Sequence, residues 1–219
     1  MRALLLALAI LLSGCAATIL IDHKGPDAGT VVVGLGVRES SHYDLVALLF
    51  RKAEDLDIKP SKVGRFGYRY RGMFGGEKTD YRGEENDDRG VVIVATLPEG
   101  DYVLYNFDLF LNLGTFSRNF FSRTPVSIPF TVKAGTVAYL GNFQLTELTG
   151  KNFLRMPVAS GGFFTIEDRS ASERLIAEKK GAQPNANFVN FTPDVERIGH
   201  PLFITPQARS RAMKEAEPK

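Results

Sequence analysis

Arg65, Arg69 and Arg71 alternate with Phe66, Tyr68 and Tyr70 over seven residues, and Lys78, Arg82, Phe74 and Tyr81 extend the pattern. Guanidinium groups hold carboxylates and phosphates by charge and paired N–H donors, and aromatic faces stack on cations and rings. The three arginines are therefore the candidate face for an anionic or glycan ligand, although a strand that simply turns its aromatics inward would show the same alternation. Phe116, Phe120 and Phe121 form a second group, set among Ser117, Arg118, Ser122 and Arg123 between two apolar runs. Rings carried on a loop either fold back under the rest of the chain or wait as a contact patch for a protein or membrane surface. Glu84, Asn86 and Asp88 put oxygen ligands at alternate positions, as a calcium loop does. Arg89 then stands where that loop needs glycine and Ala95 where it needs its closing glutamate, so no metal is expected. Gly34-Leu35-Gly36 lacks the third glycine of a dinucleotide turn. His23, His42 and His200 show no spacing that marks a nucleophile and its base, and neither G-x-S-x-G nor S-x-x-K occurs, so no catalytic residue and no cofactor is named.

Composition narrows the partners. Lys plus Arg number 27 against 25 Asp plus Glu, a net charge of +2 that argues against nucleic acid. A single cysteine excludes an intrachain disulfide. That cysteine, Cys15, follows a positive start at Met1-Arg2, an apolar run over residues 3–12, and the small residues Ser13 and Gly14. Ten residues of helix span about 15 Å, half of a hydrocarbon core, so the run suits a secretory signal and not a membrane span.

Leu12-Ser13-Gly14-Cys15 resembles the lipobox of bacterial lipoproteins, in which the thiol receives a diacylglycerol and the chain is cut before it. The resemblance implies residues 1–14 as signal peptide, a lipid anchor at Cys15, and the membrane as partner. Ala16, in place of a retaining aspartate, implies the outer membrane, facing the periplasm. Two or three acyl chains anchor stably where one would not.

The elements that must carry these residues read as strands: 30–37, 43–50, 63–71, 91–97, 101–111, 127–133, 136–145 and 162–167 are short β-branched or aromatic runs bounded by Gly, Pro, Asp and Asn. Pro98-Glu99-Gly100 and Ala134-Gly135 predict two hairpins. Residues 170–180 predict a helix, with a capping box of Ser170 and Glu173, an apolar stripe at Leu175 and Ile176, and Gly181 at its stop, lying over a sheet edge or open end. The expected fold is mainly β, an antiparallel β-sandwich of seven or eight strands with one short C-terminal helix and an irregular strap. A tether would cover residues 15–28, the sandwich and capping helix 29–182, and the strap with a solvated charged tail 183–219.

Leu97-Pro98-Glu99-Gly100-Asp101-Tyr102, Ile128-Pro129-Phe130-Thr131-Val132-Lys133-Ala134-Gly135 and Val137-Ala138-Tyr139-Leu140-Gly141-Asn142-Phe143 resemble the core of bacterial lipoproteins with a transthyretin-like (prealbumin-like) β-sandwich. That resemblance implies no catalytic residue. The expected function is a lipid-anchored envelope protein that binds or assembles with another envelope protein or a glycan. The alternative is an envelope hydrolase or carbohydrate-active enzyme on the same scaffold. Metabolic labelling with an alkyne fatty acid tests the anchor: the wild-type chain should take up label and Cys15→Ala should not, whereas equal labelling of both removes the assignment.

Overall fold

The computed structural model describes residues 22–55, 63–71, 76–83, 87–124, 126–152 and 155–216, with side chains as far as residue 211. Cys15 and the 1–14 segment, Glu84 and Asn86 lie outside the described residues. The described chain is mainly β, with two sheets. One has seven strands: β1 (Ala28–Arg38), β4 (Tyr81–Arg82), β5 (Asp88–Pro98), β9 (Thr136–Lys151), β10 (Pro157–Glu167), β11 (Asn187–Asn190) and β12 (Phe203–Ile204). Its order is β12-β10-β9-β1-β5-β4, with β11 also on β9. The other has β2 (Leu45–Lys52), β3 (Val63–Arg69), β6 (Gly100–Asn112), β7 (Ser117–Phe120) and β8 (Ile128–Val132), ordered β3-β2-β6-β7 with β8 also on β6.

Alternation of side chains builds the core. Val31, Val33, Leu35 and Val37 of β1 turn inward and join Val46, Leu48 and Phe50 of β2 and Leu104, Phe107 and Leu109 of β6 in one buried cluster that draws on both sheets. Phe50 stacks on Phe66, with ring centroids 4.4 Å apart, and meets Tyr102 and Phe130 edge-on. Each such ring contributes about 1.5–3 kcal/mol by leaving water.

Four expectations are corrected. First, the pairing is not all antiparallel: β1 with β9, β11 with β9 and β10 with β12 run parallel, so the seven-stranded sheet is mixed. Second, neither predicted hairpin forms. β1 occupies one whole edge of β5, from Ala28 opposite Pro98 to Arg38 opposite Asp88, β4 and the bridge at Asp22 touch the other, and the chain leaving Gly100 crosses to the other sheet as β6. The turn at Ala134-Gly135 makes the same crossing in reverse, from β8 to β9. Gly100 (φ 148°) and Gly135 (φ 68°) take backbone conformations that favour glycine, but a tight reversal alone does not dictate whether the next strand lies beside or across. Third, the described residues hold twelve strands, and the strap is ordered: β11 and β12 add to the sheet, and the expected solvated tail is helical. Three helices are described, α1 (Ser170–Lys179), α2 (Val195–Ile198) and α3 (Pro206–Ala216).

Fourth, α1 has nearly the expected bounds but covers a face of the seven-stranded sheet, not an edge. Ala177 packs with Val32, Val92, Val137 and Tyr139, while Leu175 faces solvent. Ser170 caps nothing: its backbone N–H is taken by the Asp168 carboxylate, and Glu173 turns inward. Gly181 (φ 103°) closes the helix as its sequence position suggests.

The segment carrying the three phenylalanines is a strand as well as a loop, because β7 pairs with β6 from Asn112 opposite Ser117 to Leu109 opposite Phe120. The pairing divides the rings. Phe120 lies edge-on to the buried Tyr43, centroids 5.7 Å apart, and packs on the core. Phe116 and Phe121 stay 59% and 51% exposed. In thermal or urea denaturation, Phe120→Ala should cost about 2 kcal/mol, below the full-burial range, and lower the melting temperature by about 4–8 °C. Phe116→Ala and Phe121→Ala should stay within about 0.5 kcal/mol of wild type. Equal losses at all three positions would contradict this division.

Candidate functional site

Period-two alternation along β3 buries Phe66 and Tyr68, with Tyr70 just beyond, and leaves Arg65, Arg69 and Arg71 on the outer face of the five-stranded sheet. Pairing across β2 and β6 sets Arg69, Leu45, Phe110 and Asn119 in one row. The three arginines line a recess of about 420 Å³ with Leu45, Phe110, Asp44 and Asp108. Asp44 is engaged by the Asn112 backbone N–H at 2.6 Å, and Asp108 by the Asn119 amide at 2.7 Å. Burial pushes the Asp108 carboxyl up, opposed by that hydrogen bond and by the charge of Arg65. Among the described residues none of the three guanidinium groups sits in an ion pair, whereas Arg89, Arg169, Arg174 and Arg209 each rest on a carboxylate. Because Phe66, Tyr68 and Tyr70 point into the core, the recess offers charge and a small apolar floor of Leu45 and Phe110, and the aromatics of β3 itself supply no stacking surface to it.

Beside it lies a more apolar cleft of about 480 Å³, sharing Asp44, Arg71 and Asn112 with the recess and lined by Leu113, Phe116 and Val158. The structure thus brings Phe116 next to the arginines, while Phe120 belongs to the core. At the rim, His42 Nδ1 is 2.8 Å from Glu147 Oε1, and Glu147 Oε2 accepts from the His42 backbone N–H.

A third place was not legible in the sequence. On the outer face of the seven-stranded sheet, Gly36 pairs with Gly90 on one side and Gln144 on the other, and Gln144 pairs with Thr165. A Cβ at Gly36 would stand 2.2 Å from Gln144 Oε1 and 2.7 Å from the Arg89 carbonyl, so the glycine is required by this close approach. Above this row α3 is held by Arg209, whose guanidinium donates to both oxygens of Asp88 at 2.6 and 2.8 Å. Both partners are buried, and removing one from such a pair costs about 3–5 kcal/mol. Asp88, which in sequence stands as the third of the alternate oxygen ligands, is thus the anchor of the C-terminal helix. Beneath the helix lies a polar cleft of about 420 Å³ lined by Gln144, Thr165, Asn142, Arg82, Arg169 and Arg209. One signal was available: glycines at 34 and 36 in an otherwise Val/Leu strand mark large polar neighbours above them.

Asn142 links this cleft to a buried carboxylate. Its amide donates to Glu173 Oε1 at 2.5 Å and to the Tyr81 hydroxyl at 2.7 Å, and Tyr139 donates to Glu173 Oε2 at 2.9 Å. Burial pushes Glu173 up despite these bonds and the nearby charge of Arg169. It also pushes up both tyrosines, with the Glu173 charge adding to it.

Ser122 and His200 meet but are not set for serine activation. Ser122 Oγ lies 3.3 Å from His200 Nε2, but its hydroxyl donates to the Thr124 carbonyl at 2.6 Å. His200 Nδ1 accepts from the Leu202 backbone N–H, so in the neutral ring Nε2 carries the proton and is a donor, the wrong polarity for a base that activates serine. Among the described residues no group of three His, Cys, Asp or Glu side chains is placed to hold a metal.

The Glu173 shift has a pH consequence. Below the usual glutamate value of 4.5, folded and unfolded chains both carry the proton. Above it the unfolded chain ionises first, so stability falls with rising pH until the raised folded value is passed. Glu173→Gln keeps an acceptor for Asn142 and removes that loss. Across a series of melting curves from about pH 4 upward, the wild type should lose stability relative to the variant as pH rises. A constant difference between the two would show that Glu173 is ionised as usual.

No protein family matches the sequence, and no curated protein matches it. Among solved structures, a leucine-rich repeat protein from Bacteroides thetaiotaomicron VPI-5482 matches at 14% identity with a TM-score of 0.31, over 52% of this chain and 13% of that one. A likeness that low carries no argument about fold or function.

Proposed function

We propose that this chain is a lipid-anchored cell-envelope binding module, tethered through Cys15 at the outer membrane facing the periplasm, that takes an anionic ligand with an apolar flank. In this reading its domain is a β-sandwich of transthyretin-like type. Two sheets sharing one apolar core, joined by turns that cross between them, support that description. The observation that carries the ligand is the convergence of Arg65, Arg69 and Arg71, none of them in an ion pair among the described residues, on one recess continuous with the apolar cleft at Leu113 and Phe116.

The tether is shorter than residues 15–28 suggest. Asp22 already bridges Thr96, and the His23 backbone N–H donates to the Thr96 carbonyl, so residues 15–21 are what is left to span. Seven extended residues reach about 25 Å. The recess lies at the other end of β6 from Gly100, near Asn112, and so would face away from the tethered end. For the alternative of an envelope hydrolase or carbohydrate-active enzyme, a serine mechanism at Ser122 and His200 lacks the proton polarity it needs.

Titration calorimetry with dodecyl phosphate, inorganic phosphate and dodecanol tests the reading. Dodecyl phosphate should bind most tightly, inorganic phosphate weakly and dodecanol least. Arg65→Gln/Arg69→Gln should lower dodecyl phosphate affinity at least tenfold, about 1.4 kcal/mol, and added salt should do the same in wild type. Affinity unchanged by removing both charges, or dodecanol binding as tightly as its phosphate, would exclude it.

A further inference from the structure

We infer that the polar cleft between the seven-stranded sheet and α3 is a second binding site, for one small neutral polyol of hexose size. It lies on the outer face of the other sheet from the arginine recess and is independent of it.

Buried polar groups in folded proteins are nearly always hydrogen-bonded, and those left over mark water, ions or ligands. Gln144 is 5% exposed and Thr165 4%, yet neither atom of the Gln144 amide nor the Thr165 hydroxyl has a partner among the described residues. Arg209 Nε, also buried, has none, although the rest of that guanidinium is taken up by Asp88. All three side chains line the same cleft. They offer two donors, Gln144 Nε2 and Arg209 Nε, one acceptor, Gln144 Oε1, and one group that does both, Thr165 Oγ1.

Charge narrows the class. The buried charges that line the cleft are matched, Arg209 by Asp88, and at the rim Arg169 lies 2.7 Å from Glu167. Arg82 at the mouth is mostly exposed and stands 3.8 Å from Glu39. A ligand that enters therefore needs no charge of its own, but it needs groups that donate and accept at neighbouring positions. Hydroxyls on adjacent carbons do both. A cleft of about 420 Å³ lies in the usual range for one small molecule. The glycines at 36 and 90 keep the floor low: a side chain at either would occupy the space that Gln144 and the Tyr81 hydroxyl now share.

Saturation-transfer NMR and titration calorimetry on the mature chain, with D-glucose, D-galactose and D-mannose as probes and inorganic phosphate and acetate as controls, test this assignment. At least one hexose should bind saturably, and Gln144→Leu and Thr165→Val should each weaken it tenfold or more, with circular dichroism reporting the fold of each variant. Thr165→Val keeps shape and removes only the hydroxyl, so it decides the matter if Gln144→Leu does not fold. Saturable binding by none of the three hexoses, meaning that the cleft takes only ordered water, overturns the assignment. Hexose binding that Thr165→Val leaves intact, or phosphate or acetate binding more tightly than every hexose, overturns it as well.

Discussion

The apolar faces of the two sheets have no other place to go than each other, and the turns at Pro98–Gly100 and Lys133–Thr136 are what bring them face to face. Each carries the chain from one sheet to the other, so β6 and β8 become neighbours in one sheet while β5 and β9 flank β1 in the other. The start of β1 lies between these turns: the Ala28 carbonyl accepts from Gly135 N–H, and Asp27 from Glu99 N–H. At Gly29 the Lys133 carbonyl would stand 2.5 Å from a Cβ, so only glycine lets the three segments meet. Once β1 is seated, its partners on both edges are set, and a slip of one residue would turn Val31, Val33 and Leu35 outward.

With the inner faces committed, the outer faces are free to differ. On the seven-stranded sheet β1 changes character at residue 34. Before it, Val32 packs with Val92, Tyr139 and Ala177 of α1; after it, Gly34 and Gly36 leave room for Glu173, Asn142 and Gln144. The two halves are covered by different helices held by different forces. α1 is held by apolar contact together with the Glu173 hydrogen bonds, and by Lys180, which pairs with Asp80 and donates to the Val92 carbonyl. α3 is held through Arg209 and Asp88, a pair whose worth depends on staying dry and doubly bonded. A helix held through such a buried pair is a suitable roof for a polar cleft, and Pro206, Arg209 and Ser210 line the space below it.

The five-stranded sheet leaves its outer face without a helix in the described residues, and there the unpaired arginines collect. Exposed surface charge costs little in water, so nothing in folding opposes Arg65, Arg69 and Arg71; strand alternation puts them on one face, and the register of β3 on β2 sets them beside Leu45 and Phe110. An anion offered to that recess meets three guanidinium groups beside Asp44 and Asp108, whose oxygens already accept from Asn112 and Asn119. At Ser122 and His200, by contrast, backbone groups have already consumed the hydrogen bonds that catalysis would use.

Sequence by itself determined whatever depends on near neighbours along the chain. The alternation at 63–71 placed Phe66, Tyr68 and Tyr70 inside and the arginines outside, because side-chain direction on a strand is a property of the backbone repeat. The helix at 170 and its stop at Gly181 were legible for the same reason. What only tertiary structure decided was which edges and faces were still open when distant segments met. A Pro-Glu-Gly reversal serves a hairpin or a crossing equally well, and it became a crossing in which β6 pairs with β2 and β8 instead of β5. Glu173 reads as a cap until Asn142, 31 residues away, claims its carboxylate, and Arg209 reads as solvated tail until Asp88, 121 residues away, buries it. Local periodicity carries no information about partners at such separations, since those contacts are set by the packing of whole sheets.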